Sequence, residues 1–378
     1  MRRSILIFGI LLVAALAAGP VQAQGTDAGS AAAAAASADD DLGDIEQALG
    51  ADREQAAAQK QAAEAAPQPA PVSAEAPIKI DVDTGDEAPT WSELVDNWDL
   101  FRDPIYAAGI AGLVLGFLSV FIVLRRMVFV SAAITQAAGF GVAVSFYASI
   151  AAGFTLDPVW GATAMSLVTA ALVAPDPKRF GLSREMVLGL AFAFFAAGAV
   201  LAGARIPQEA HEVEAILFGT AVAVSREDMH RLALVGGFVL AIQVWWFRGL
   251  TFASFDSLAA RVQGLPVRLL DLVLLISIGL SVGQAARALG ALPAFALSVL
   301  PGAAAVQLAR GPLIVTFAVA ALIGAACGVF GYIVAFFLRF PVGATQTVLA
   351  SLVVMVATLI HVAGTAFARA RTRATISA

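Results

Sequence analysis

Nine long apolar stretches with few charges decide the solvent of this chain before any fold is considered. They lie near residues 105–124, 128–152, 159–175, 186–204, 232–247, 269–288, 291–309, 312–338 and 345–367. About 20 apolar residues are what a helix needs to cross roughly 30 Å of hydrocarbon. In lipid, every backbone N–H and C=O must be bonded within its own segment. The expected fold is therefore an all-α membrane protein, a polytopic helical bundle of about nine transmembrane helices, within a range of about eight to ten. Composition agrees: 60% of the 378 residues are hydrophobic, 13% are charged, and the mean hydropathy is +0.84, more apolar surface than one water-soluble core buries.

The net charge of −5 conceals a division. Residues 26–104 hold 18 Asp/Glu against 4 Lys/Arg, whereas residues 105–378 hold 10 against 17. Ahead of the acidic stretch, "MRRSILIFGILLVAALAAGPVQAQG" has two arginines, an apolar core and small residues before Gln24. That is the pattern of a signal peptide over residues 1–23, cut after Ala23; an uncleaved anchor is the alternative, and both place the acidic stretch outside the cytoplasm. Residues 24–89 are Ala, Asp, Glu, Gln and Pro with few large apolar side chains, too little burial to offset the entropy of ordering. They read as a disordered acidic periplasmic arm, for which a solvated spacer and a weak cation collector both remain open. In residues 90–104, Trp91, Leu94, Val95, Trp98 and Phe101 fall near helical spacing, which suits a segment lying at the membrane interface ahead of a transmembrane domain at 105–378. Starting outside, nine spans put Arg125, Arg126, Lys178, Arg179, Arg184, Arg248, Arg261, Arg268, Arg310, Arg369, Arg371 and Arg373 in the cytoplasm with the C-terminus. These are twelve of the seventeen basic residues after position 104, the excess that cytoplasmic loops carry.

Several stretches have a physical reading of their own. Gly112 with Gly116, and Gly324 with Gly328, are small-xxx-small pairs that let helix backbones approach. In "ALPAFALSVLPGAAAVQLA", Pro301-Gly302 predicts an interrupted helix, because proline lacks the amide hydrogen and its ring clashes with the preceding turn. Such a break either lines a wet pathway or is satisfied by neighbouring helices. "FASFDSLAARVQGLPVRLLD" predicts a short amphipathic helix on the cytoplasmic side: Asp256 caps it, Phe255, Leu258, Ala259 and Val262 share a face, Gly264 supplies a left-handed end and Pro266 prevents continuation. A bounded apolar face of this kind suits docking of a soluble partner. Outside the membrane, Glu209, His211, Glu212 and Glu214 cluster in "PQEAHEVEAILFG", either a solvated acidic loop or a weak cation or docking site. Ala215 stands where a zinc-protease motif needs its second histidine, so that motif fails. Gln284, Arg287, Gln307, Gln346 and His361 are further polar groups within spans. No Gly-x-x-x-x-Gly-Lys-Ser/Thr loop is present to cradle ATP. The lone Cys327 supports neither a disulfide framework nor a cysteine metal site.

Four blocks in order, "VLRRMVFVSAAITQAAGFGVAV", "LFGTAVAVSREDM" at 217–229, "FDSLAARVQGLPVRLLD" and "RFPVGATQTVLASLVV" at 339–354, resemble the membrane permease subunits of bacterial ABC importers for zinc, manganese or iron. The resemblance covers residues 93–367. It implies a multi-pass protein of the bacterial inner membrane that binds no cofactor itself and moves a divalent metal. It also implies three protein partners: a second permease copy, a periplasmic metal-binding protein and an ABC ATPase subunit that holds the ATP. Lipid is the other partner, and no nucleic acid is expected. By the same resemblance, Asp256, Leu258, Ala259, Arg261, Gly264 and Pro266 couple the chain to the ATPase.

One block departs from the pattern. Where the family carries an Asp and, four residues on, a His that project into the permeation path, this chain has Ala132 and Gln136. Carboxylate and neutral imidazole are good ligands for such ions; an amide oxygen is neutral and weak. Residues four apart share a helix face, so Ala132 and Gln136 point together, flanked by Ser131 and Thr135. The polar stripe therefore lines a substrate pathway, with Pro301 and Gly302, or else serves interhelical hydrogen bonds. No confident metal ligand emerges; Glu209, His211, Glu212 and Glu214 are the weak candidates. A permease with another solute, or with transport lost, is the alternative function. An intramembrane enzyme has no support in paired aspartates, a Gly-x-Ser-x-Gly turn or a double-histidine zinc motif.

Overall fold

All nine apolar runs become helices, because a run that cannot bond water must close its backbone hydrogen bonds on itself. The computed structural model describes residues 90–152, 157–174, 183–204, 224–309 and 311–377. The signal segment, the acidic arm, and Glu209, His211, Glu212 and Glu214 lie outside these residues. In chain order the helices are α1 (Trp91–Asp96), α2 (Trp98–Leu124), α3 (Val128–Ala152), α4 (Pro158–Val173), α5 (Arg184–Gly203), α6 (Arg226–Trp245), α7 (Phe247–Phe255), α8 (Ser257–Val262), α9 (Val267–Leu289), α10 (Ala291–Leu308), α11 (Leu313–Leu338) and α12 (Val342–Ser377). Local sequence sets several starts: the side chains of Asp157, Ser183 and Ser225 accept hydrogen bonds from Val159, Met186 and Asp228 amides at 3.0, 3.1 and 3.1 Å, satisfying donors that a helix start leaves open.

The expected bundle of about nine spans agrees approximately with the structure. Among the described residues, seven helices are long and apolar enough to cross a membrane, and the pair α6–α7, bent by 69°, makes an eighth if taken as one span. Helix α4 has 16 residues, about 24 Å at 1.5 Å per residue, and falls short of the roughly 30 Å hydrocarbon. The first span also starts earlier than the sequence pattern suggests. Helix α2 begins at Trp98, since Phe101 packs edge-on against Phe336 at 4.9 Å and gives the first turns a protein partner. Only the six residues of α1 precede it as a separate segment, with Trp91 against Phe337 at 4.6 Å.

Helix α2 is the axis of the bundle. It packs on α11, α10, α6 and α9, while α4 and α5 pack on α3, and α12 lies on α10 and α11. The glycine pairs read from sequence meet each other: Gly112 faces Gly324, Gly116 faces Ala320 and Gly328 faces Ala108, so α2 and α11 run antiparallel with backbones in contact. Helix α12 is largely uncovered, with Val348, Met355, Leu359 and Ile360 exposed, which in a membrane means facing lipid or another chain.

The predicted interruption at Pro301 does not occur. Helix α10 runs unbroken from Ala291 to Leu308 with Pro301 buried inside it. Proline is tolerated there because neighbours hold the helix on both sides: Gly302 lies so close to α2 that an added Cβ would stand 2.5 Å from the Ser119 carbonyl carbon. Pro301 and Gly302 therefore lie at a close helix crossing.

Candidate functional site

Two regions stand out in the polar chemistry of the bundle: a seam between α3 and α10, and a corner formed by α7 and α8. In the seam, Ser131 donates to the Ser298 hydroxyl at 2.6 Å, and Ser298 donates to the Phe295 carbonyl at 2.7 Å. Thr135 donates to the Ser131 carbonyl at 2.7 Å. Both Ser131 and Thr135 are fully buried. Of the two roles left open for the stripe, hydrogen bonding within the bundle accounts for Ser131 and Thr135. Ala132 and Gln136 lie further round the helix. Ala132 is 8% exposed, and Gln136 is half-buried with no hydrogen-bond partner among the described residues. The polar stripe thus ties Ser131 to α10 and Thr135 to its own helix, which four-residue spacing alone does not resolve.

The α7–α8 corner obeys the expected chemistry of its residues. The Asp256 carboxylate accepts from the Leu258 and Ala259 amides at 3.0 and 2.8 Å, capping α8. Gly264 has φ +80, and the amides of Gly264 and Leu265 return to the carbonyls of Arg261 and Ala260, both at 3.0 Å. This is the paired closure that a left-handed residue permits, and it ends the helix within two turns. Pro266 then starts α9 at its N-cap. Ala260 is the anchor, fully buried, while Phe255, Leu258 and Val262 are exposed by 65, 72 and 83%. Arg261 is exposed beside them and Ala259 half-buried. An apolar surface of this extent on a capped helix is a feature of sites that bind another protein.

Arg125 anchors this corner from behind. Its guanidinium donates to the Ser254 hydroxyl at 2.7 Å and to the Leu250 carbonyl at 3.4 Å, and pairs with the Asp271 carboxylate. Sequence reading takes Arg125 only as a cytoplasmic charge and passes over Ser254 and Asp271. The available signal was an acid, Asp271, near the start of an otherwise apolar span, where a charge needs a partner.

The opposite end of the bundle is held by charges too. Arg231 pairs with Asp157 and with Glu227, and Arg226 and Arg102 each lie 3.6 Å from Asp103. Burial raises the Asp157 carboxyl, but the Val159 amide and Arg231 outweigh it and hold it below the ordinary value of 3.8. Among the other intramembrane polar groups, Gln284 donates to Thr163 at 2.9 Å and Gln346 to the Gly328 carbonyl at 3.0 Å, so both serve packing. His361 is exposed, 3.4 Å from the Gln307 carbonyl oxygen. Among the described residues, no group of three His, Cys, Asp or Glu side chains is placed to hold a metal ion.

Comparison with known proteins agrees with this architecture. The sequence pattern of the ABC 3 transport family matches residues 97–361. The manganese transport system membrane protein MntC of Halalkalibacterium halodurans is 29% identical over 237 residues, covering 62% of this chain and 78% of that protein. The chelated iron transport system membrane protein YfeD of Yersinia pestis is 27% identical, covering 67% of this chain and 82% of that one. Among solved structures, a chain of PsaBC from Streptococcus pneumoniae in complex with Fab superposes with a TM-score of 0.62 at 26% identity, over 71% of this chain and 95% of that chain.

Proposed function

Because this chain belongs to the ABC 3 transport family and is a multi-pass membrane protein, we propose that it is the membrane-spanning permease subunit of an ATP-driven importer for a divalent metal ion: manganese, iron or zinc. Two copies form the translocation pathway in the inner membrane. A separate ATPase subunit binds α8 from the cytoplasm, and a periplasmic metal-binding protein delivers the ion from the other side, where the N-terminal arm lies. The observation that carries the reading is the cytoplasmic corner, a helix capped at both ends that presents Phe255, Leu258 and Val262 to solvent and is anchored through Ala260. ATP binding draws the two ATPases together, and α8 of each copy moves with its ATPase so that the halves rock between outward and inward access.

A second reading is favoured by Ala132 and Gln136. With no carboxylate or imidazole at these two positions, a permease of this family carries a different solute, or carries nothing and acts as a structural partner. Uptake by the complex reconstituted with its ATPase separates the two. The measurement is ATP-dependent accumulation across a panel of manganese, iron, zinc and magnesium, for wild type and for Ala132→Asp combined with Gln136→His. The proposal expects metal uptake by wild type and stronger manganese or zinc transport or trapping by the double variant. Absence of uptake of every metal by wild type refutes the importer reading, and identical profiles for both forms remove these two positions from selectivity.

A further inference from the structure

The Arg125 guanidinium binds two elements at once, Ser254 and Leu250 of α7 and Asp271 of α9, while its own backbone closes α2. Its side chain is only 11% exposed. Ser254 in turn donates to the Leu250 carbonyl at 2.6 Å, so the arginine binds a hydroxyl whose own proton is already committed. On the other side, the corner between α2 and α3 has no slack. Arg126 takes φ 55, and the amides of Arg126 and Met127 return to the carbonyls of Val123 and Ile122 at 3.1 and 2.8 Å. This is the same paired closure as at Gly264, held here by an arginine in a conformation that favours glycine. Helix α3 starts at Val128, three residues after Arg125, and the Ser131 amide already bonds Met127.

Helices α7 and α8 are equally tight, since Asp256 both ends α7 and caps α8. They pack on each other and on α9, and α7 also packs on α2. The route from α8 to Arg125 therefore runs along the chain from the Asp256 cap to Ser254, whose hydroxyl Arg125 binds, and Arg125 stands three residues before α3, the helix that carries Ala132 and Gln136. Phe247 at the start of α7 adds a ring contact to Phe121 of α2 at 6.5 Å.

We propose that Arg125 is the positioning residue of coupling: it locks the α7–α8 corner to the start of α3, so that displacement of α8 is passed to the helix carrying Ala132 and Gln136. This rests on the reading that α8 meets the ATPase, and the test separates the two. Spin labels at Phe129→Cys and Gln263→Cys, in the full complex in proteoliposomes, report the distance between α3 and the end of α8 with and without nucleotide. Ions moved per ATP hydrolysed are measured in the same preparations.

In wild type the label distance is narrow and the same in both nucleotide states. In Arg125→Gln, which loses its charged hydrogen bonds, the distance broadens and shifts with nucleotide, ATP hydrolysis persists, and ions moved per ATP fall about tenfold. Arg125→Lys keeps the charge facing Asp271 but not the bond geometry to Ser254, and falls between the two. If Arg125→Gln does not assemble, Asp271→Asn carries the same test, because that carboxylate is half-exposed. A wild-type distance that changes with nucleotide, or an Arg125→Gln complex with wild-type distance and wild-type ions per ATP, overturns the proposal. A wild-type complex that moves no divalent metal yet shows the fixed distance, loosened in the variant, supports the lock and refutes the metal reading.

Discussion

Gly112→Ala tests what holds the bundle together. An ideal Cβ on Gly112 stands 2.2 Å from the Gly324 carbonyl oxygen and 3.1 Å from the Ala325 Cα, both backbone atoms that no rotamer change can move. Relief to an ordinary contact near 3.5 Å parts α2 from α11 by about 1 Å, enough to forfeit roughly half the dispersion well of each pair along the crossing. The pairs at risk include Gly116 with Ala320, Gly328 with Ala108, and Phe317, whose ring packs on Phe117 and Phe121 at 4.9 and 4.6 Å. Overpacking of this kind costs about 1–3 kcal/mol, and a backbone obstacle puts this site near the upper end. Alanine returns about 1 kcal/mol of helix propensity, so the net loss is about 2 kcal/mol. Gly237→Ala is the internal control. It lies in α6 with nothing within 4 Å of its added Cβ, and receives the propensity gain of about 1 kcal/mol without the clash. The same chemical change is thus expected to act with opposite sign at two helical glycines. Thermal unfolding in detergent at one fixed scan rate reads this, because polytopic proteins often unfold irreversibly and only matched rates compare. A Gly112→Ala protein as stable as Gly237→Ala refutes the claim that close backbone approach fixes the α2–α11 crossing.

The two ends of the bundle carry further expected outcomes. Asp256→Ala removes both cap bonds of a six-residue helix and costs α8 about 1 kcal/mol, so binding of the ATPase weakens several-fold while bundle stability stays within about 0.5 kcal/mol; Asp256→Asn, which keeps the cap, restores it, and equal affinity for all three forms excludes α8 as the docking element. At the other end, the Asp157 carboxyl is lowered in the folded protein, so its contribution is complete above the ordinary value of 3.8 and is lost as pH falls through the lowered folded value. Wild type is therefore expected to exceed Asp157→Asn in stability by the same margin at pH 7 and pH 5, with the margin closing below pH 3.8; a margin that closes between pH 7 and pH 5 contradicts the pairing with Arg231.

The helices and the caps at Asp256 and Gly264 were legible because they depend on neighbours in sequence. An apolar run in lipid has no choice but helix, and a cap bonds residues two or three positions away. The span boundaries were less legible, since Phe101 extends α2 only by resting on Phe336, 235 positions later in the chain. Pro301 misled for the same reason: the rule that proline breaks helices describes an isolated segment, and here Ser119 of α2 presses on the next residue and keeps α10 whole.

By itself, the sequence determined that this chain lives in a bilayer, that small residues mark its close crossings, and that one short helix is bounded by Asp256 and Gly264. Only the tertiary structure decided that Ser131 bonds Ser298 of α10 while Thr135 bonds back to Ser131, and that Arg125 reaches Ser254 and Asp271, 129 and 146 positions away. The physical reason is that hydrophobicity and capping act through the local chain, whereas the partner of a polar side chain in lipid is set by which helix is packed beside it.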